Sequence, residues 1–218
     1  GVMILAQEGS LYRLQNGSFS ALKLPANGTW LQPTPVPGTH NFVAVFRGDA
    51  WSDLYLISDA GTIITQLTHN QTQSSTIQYN HWMFWPHVAD DGHTIYVSYD
   101  APKSVQSYEI EFAVWRGDLS GSIASVQLTQ PNSYTGGDTQ PLVLPNGSLL
   151  YSKFDIGSDQ LFSQIALQTS AQGNPSFLTT SDEDCGQPAL SPDGTQLAMI
   201  CIGGTSGQSS KLEVASFN

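Results

Sequence analysis

Three times along this chain a proline is followed six residues later by a glycine, with Asp or Asn standing just before the glycine. The pairs are Pro86 and Gly92, Pro141 and Gly147, and Pro188 and Gly194, preceded by Asp91, Asn146 and Asp193. The fullest copy, Gln187 to Cys201, reads as a short apolar strand, a Pro-Asp-Gly turn and a second apolar strand, the pattern of a β-hairpin. A degraded copy starts at Pro33, where Pro37-Gly38 takes the turn. Intervals of 53, 55 and 47 residues separate the four prolines, so loops vary in length while the strands do not. A unit that recurs at such a period has to be read as a repeat before any single residue is interpreted.

Each repeat carries about four short strands. One set runs through FVAVFR (42–47), DLYLIS (53–58) and TIITQLT (62–68), and its counterparts follow each later hairpin. The fourth strand ends on Leu-Thr at 67–68, 128–129 and 178–179. Ahead of the first full repeat, Met3 to Leu24 reads as three strands separated by turn signals, Asn16-Gly17 among them. No segment has a helical period. Four short antiparallel strands per repeat and no helix is the pattern of a propeller blade, and such blades must pack on one another to bury both faces. The expectation is one all-β domain over residues 1–218: a β-propeller of four-stranded antiparallel blades, about five, or six if one lies outside this stretch or has diverged.

The LSPDG hairpin with its preceding proline, the LYLISDAG strand-turn and the terminal Leu-Thr resemble the repeats of the TolB-like β-propellers over nearly the whole chain. The resemblance implies the fold. Members of that group serve as periplasmic interaction proteins, as propeller domains of peptidases and, in some relatives, as polysaccharide lyases, so it does not choose an activity.

Composition narrows the partners. Seven Lys and Arg against 18 Asp and Glu give a net charge of −11, which argues against nucleic acid, whose phosphates need a basic surface. A protein, or a small neutral or cationic ligand, remains open. No apolar run approaches a membrane span, and a monomer is expected. The chain opens on Gly-Val-Met, so any export signal or anchor is expected to lie outside it.

The two cysteines, Cys185 and Cys201, flank the fullest hairpin, and a short turn at Pro192 to Gly194 sets them nearly opposite one another. A cross-strand disulfide is feasible; two buried thiols are the alternative. With sequons at Asn16, Asn27, Asn70 and Asn146, a disulfide would favour an extracytoplasmic location: periplasmic, secreted or at the cell surface. Three of the sequons are also Asn-Gly turns that hairpin chemistry explains.

In a propeller blade the link entering the innermost strand and the second loop emerge on one face. That assignment places most of the acids there, including Asp53, Asp100, Asp138 and Asp182 to Asp184. The residues before each innermost strand, WLQP, MFWP, DTQP and CGQP, should ring the mouth of a central channel. Candidate ligand-binding residues at that mouth are Gln32, Trp85, Asp138, Gln140, Asp184 and Gln187, an amide-and-aromatic platform suited to a neutral ligand. The alternative is that the glutamines satisfy backbone groups at the strand starts and Trp85 plugs the channel. Long loops in the third repeat add Tyr79, His81, Trp82 and Tyr108 as candidate partner-binding residues.

No catalytic residue is nominated. Gly204-Thr205-Ser206-Gly207 lacks the spacing of a nucleophile elbow, and the five histidines form no metal-ligand pair. Asp182 and Asp184 are weak metal candidates, with Ca2+ as the ion an acidic loop would take. No other cofactor is expected. The function this supports is a non-catalytic, extracytoplasmic binding propeller that uses its acidic entry face. Alternatives are a carbohydrate-binding or polysaccharide-lyase-like propeller, suggested by Trp30, Trp82 and Trp85, and a structural spacer of a larger surface protein.

Overall fold

The computed structural model describes residues 1–71, 81–101, 110–157, 160–203 and 209–217. It is all-β, with eighteen strands and no helix among these residues, arranged as the five antiparallel blades of a β-propeller. The first blade is β1 (Val2–Gln7), β2 (Ser10–Gln15) and β3 (Ser18–Ala21). The second holds β4 (Thr29–Pro35), β5 (Asn41–Arg47), β6 (Ser52–Ser58) and β7 (Ile63–Gln66). The third holds β8 (Trp82–Val88), β9 (Thr94–Asp100), β10 (Ala113–Asp118) and β11 (Val126–Gln127). The fourth holds β12 (Asp138–Val143), β13 (Leu149–Gly157), β14 (Gln160–Gln168) and β15 (Ser176–Phe177). The last is β16 (Cys185–Leu190), β17 (Gln196–Cys201) and β18 (Lys211–Ser216). Three blades thus have the expected four strands, and the first and last have three among the described residues.

The chain divides into two compact units, one of residues 1–108 and 116–126, the other of 109–115 and 127–218. In the first, Leu11, Trp30, Phe42, Ala44, Phe46 and Ile57 form one buried cluster. In the second, Leu150, Ile165, Leu197 and Met199 gather around Cys185 and Cys201. Each cluster is fed by alternate residues of successive blades, which is how sheets without helices bury a face.

Recurrent sequence signals acquire physical causes here. At the hairpin turns the residue before Gly uses its side-chain oxygen to cap the chain. Asp91 accepts from the His93 and Thr94 N–H groups, both at 2.8 Å, Asn146 from the Ser148 N–H at 2.9 Å, and Asp193 from the Thr195 N–H at 3.1 Å. The Thr94 hydroxyl and those two N–H groups hold the Asp91 carboxyl down to about 2. Gly92, Gly147 and Gly194 take the left-handed conformation, φ 70° to 83°, that the turn requires.

The terminal Leu-Thr is a latch. The Thr hydroxyl oxygen accepts a third-strand N–H, from Leu54 to Thr68, Val114 to Thr129 and Ile165 to Thr179, each at 2.9 Å. The preceding Leu N–H donates to the carbonyl of the same third-strand residue. One residue thereby has both backbone groups satisfied just where the short fourth strand ends.

One expectation needs correcting. The WLQP, MFWP, DTQP and CGQP segments lie within the first strands of their blades, not ahead of them. The pairing register breaks at each (Leu31/Thr34, Phe84/His87, Thr139/Leu142, Gly186/Ala189) and resumes beyond it, so each segment is a β-bulge. Gln32, Trp85, Gln140 and Gln187, all preceding the repeat proline, sit at φ 50° to 58°. Proline at the next position disfavours the helical region for these residues, and the bulge places them in left-handed backbone that is costly for any non-glycine residue.

Candidate functional site

In the first unit the bulge of β8 organises a cluster of aromatic side chains. Trp82 and Phe84, two residues apart on one strand, lie on the same side, with ring centroids 5.8 Å apart and planes within 17°. The positive φ of Trp85 breaks the alternation and brings its ring to 5.4 Å from Phe84. The Arg47 guanidinium at the end of β5 lies 5.7 Å from the Trp82 ring centroid, a cation–π arrangement. His81 meets Tyr99 edge-on at 6.5 Å. His81, Trp82, Phe84 and Trp85 are half-buried and Arg47 is exposed, so the group presents a surface.

Its support is built from polar groups of the second blade. The Trp85 N–H donates to Gln32 Oε1 at 2.7 Å, which ties the bulge of β8 to that of β4. The Ser52 hydroxyl bridges the N–H and carbonyl of Met83, and the Ser52 N–H donates to the His81 carbonyl. Next to Ser52, the buried Asp53 carboxylate accepts from the Thr68 hydroxyl (2.8 Å), the Asn70 N–H (2.7 Å) and Gln66 Nε2 (3.0 Å). Burial pushes this carboxyl up, against the lowering pull of the Asn70 N–H and the Thr68 hydroxyl. The Asn70 side-chain amide donates to the Ser52 carbonyl at 2.7 Å, which closes the network.

The second unit repeats the glutamine link and adds charge. Gln140 Oε1 accepts from the Gln187 N–H at 2.8 Å and from the Ser152 hydroxyl at 2.6 Å. Asp138 is fully buried and pairs with Lys153 Nζ at 3.1 Å, while Nζ also donates to the Gln130 carbonyl at 3.0 Å. Burial raises the Asp138 carboxyl, opposed by the Lys153 charge and the Thr129 hydroxyl. Asp184 Oδ1 accepts from both the Ser163 N–H (2.7 Å) and hydroxyl (2.9 Å).

The sequence-nominated residues therefore fall into several groups. Gln32 and Trp85 meet in one unit, with His81 and Trp82 beside them; Gln140 and Gln187 meet in the other. Asp138 faces Lys153, and Asp184, just ahead of β16, is engaged by Ser163 of the preceding blade. Tyr79 and Tyr108 lie outside the described residues. Asp182 is exposed, and among the described residues no three His, Cys, Asp or Glu side chains gather as a metal-holding group. Of the acids assigned to the entry face, Asp53, Asp100 and Asp138 are buried. Sequence reasoning passed over Arg47 and Phe84; the signal for Phe84 was its two-residue spacing from Trp82 on one strand.

Cys185 and Cys201 are directly paired across β16 and β17 and form a disulfide, with Cα atoms 4.0 Å apart.

No protein-family model matches the chain, and no curated protein does. Solved structures do match. A TolB structure from Agrobacterium tumefaciens superposes with a TM-score of 0.72 at 16% identity, covering 99% of this chain and 73% of that one. The chain has a TolB-like propeller fold. TolB from Acinetobacter baumannii gives 0.62 at 12% identity, over 95% of this chain and 51% of that one. An oligogalacturonate lyase in complex with manganese gives 0.60 at 14%, over 96% and 54%. The TolB-like propeller thus spans about half the length of the second and third of these proteins. A lyase and TolB share the same blades, so the fold leaves the activity to be argued from the site.

Proposed function

We propose that this protein is a non-catalytic binding propeller of an extracytoplasmic compartment, and that the cluster of Trp82, Phe84, Trp85 and Arg47 is its ligand face. The observation that carries the reading is the half-buried aromatic group with an exposed guanidinium on Trp82, its strand hydrogen-bonded to Gln32 and Ser52 of the second blade. Trp and Arg are the residue types that dominate binding energy at protein interfaces, because they offer large rigid contact area with a polar handle. The disulfide supports an oxidising compartment. Buried Asp53 and Asp138 move weight from the acidic residues to the aromatic ones, and a protein segment is the favoured ligand.

The near-parallel Trp82 and Phe84 rings support a second reading, a neutral oligosaccharide stacked on them. Peptide and glycan arrays probed with the wild-type chain and with Trp82→Ala separate the two. Signal on peptides that falls roughly 30-fold in Trp82→Ala, about 2 kcal/mol, supports the protein-binding reading. Signal on glycans alone moves the function to the second reading. Blank arrays, or signal indifferent to both Trp82→Ala and Trp85→Ala, overturn the site.

A further inference from the structure

Arg47 is one of seven Lys and Arg residues set against 18 Asp and Glu, yet among the described residues no carboxylate pairs with it. The acids nearest in register are turned elsewhere. Asp53, opposite Phe46, is 1% exposed and takes its hydrogen bonds from Gln66, Thr68 and Asn70. Asp100, opposite Trp82, is buried as well. Asp49 is exposed two residues along the chain and leaves Arg47 unpaired. An exposed cation on a chain of net charge −11 has many carboxylates to choose from, and this one rests on an aromatic ring instead.

The contact with Trp82 limits what the guanidinium can do next. The ring attracts the charge through its π-face, 5.7 Å from the centroid, and restricts the rotamers of the long side chain. It leaves unfilled the two-pronged fork of N–H donors that fits a carboxylate. Arg47 ends β5 in the second blade and Trp82 begins β8 in the third, so the fork is held at a seam between strands of one compact unit.

We infer that the ligand face formed by Trp82, Phe84, Trp85 and Arg47 reads a side-chain carboxylate: the protein segment it takes carries an Asp or Glu that Arg47 grips with paired N–H bonds. This rests on the reading of that cluster as the ligand face. Beside the acid, an apolar or aromatic residue covers the Trp82 and Phe84 rings. In an extended segment alternate side chains share one side, about 7 Å apart. That step is close to the spacing of the face, 5.7 Å from guanidinium to Trp82 and 5.8 Å from Trp82 to Phe84, so acid and apolar residue stand two positions apart.

The charge of the whole chain sharpens the selection. A net charge of −11 repels a segment that is acidic throughout, and Arg47 offers a carboxylate one place to be welcome. The face therefore takes a single acid within an otherwise neutral or basic stretch.

The probe is a phage-displayed library of random linear peptides, selected on the full chain. Enriched peptides are resynthesised with an amidated C-terminus, so that only side-chain carboxylates are tested, and titrated by fluorescence anisotropy. An Asp or Glu two positions from an apolar residue should recur among those whose binding needs Trp82. Changing that acid to its amide, or Arg47→Gln in the protein, should each weaken binding about 10-fold, and the two together no more than either alone. Arg47→Lys should recover only part, since an ammonium lacks the fork. The amide peptide tests the contact on unaltered protein. Peptides that need Trp82 but carry no acid, or are indifferent to Arg47→Gln, overturn the carboxylate and leave the ligand face standing. Additive losses overturn it too, because the acid is then held elsewhere. A library that yields no peptide dependent on Trp82 removes the ligand face and this inference with it.

Discussion

Asp138 and Lys153 face each other across β12 and β13 at the register that Cys185 and Cys201 occupy across β16 and β17. The same cross-strand joint is Trp30 with Phe46 in the second blade, their rings 4.9 Å apart, and Met83 with Tyr99 in the third. An aromatic pair, a thioether beside a phenol, an ion pair and a covalent bond fill one structural position. Each satisfies the requirement that a fully buried first-strand residue meet a matching partner.

An ion pair in that position is costly to break and cheap to replace. Lys153→Met alone leaves a buried carboxylate without its cation and should cost about 3–5 kcal/mol of unfolding free energy. Asp138→Leu with Lys153→Met should return to within about 1 kcal/mol of wild type. Urea denaturation of the two singles and the double measures the coupling. Additive losses would show that the pair is not acting as a unit.

The disulfide closes a loop between residues 16 positions apart. Reduction, or Cys185→Ala with Cys201→Ala, should lower stability by about 3 kcal/mol. Unfolding curves with and without a thiol reductant should differ for the wild type and coincide for the variant.

Gln32 and Gln187 share a backbone conformation and differ in their work. Gln32 receives the Trp85 N–H, whereas the Gln187 side chain is exposed. Gln32→Ala should cost about 1–3 kcal/mol, Gln32→Glu should recover most of that, and Gln187→Ala should stay within about 0.5 kcal/mol. Thermal melts of the three variants rank them.

The sequons separate by burial. Asn16, Asn27 and Asn146 are exposed, while Asn70 is 7% exposed with its amide donated to Ser52. Expressed in a secretory host that attaches N-glycans, the folded chain should carry sugar at the first three positions and none at Asn70. Glycopeptide mass spectrometry reads this directly, and full occupancy at Asn70 would contradict the Asn70–Ser52 bond.

The blades were legible because turn chemistry is local: Asp or Asn before Gly, a repeat proline, and Leu-Thr at the end each act within a few residues. The cysteine pairing was legible for the same reason, since a short turn sets its own register. Asp138 was not. A carboxylate reads as exposed on its own, and only alignment with Trp30, Met83 and Cys185 reveals a core position. The bulges were also missed, because a proline preceded by a non-glycine residue signals a strand start more readily than a left-handed residue inside a strand. The Arg47–Trp82 contact joins residues from different blades, and no local spacing encodes it.

The glutamine links also have a direction. Gln32 reaches forward along the chain to Trp85, and Gln140 forward to Gln187. On a ribosome making the protein from its amino end, each such amide emerges before the backbone group it will hold. Gln140 meanwhile has the Ser152 hydroxyl of its own blade to accept from, whereas the Trp85 N–H reaches Gln32 only once the third blade has been made. The link between the second and third blades therefore closes only after the later of the two has left the ribosome.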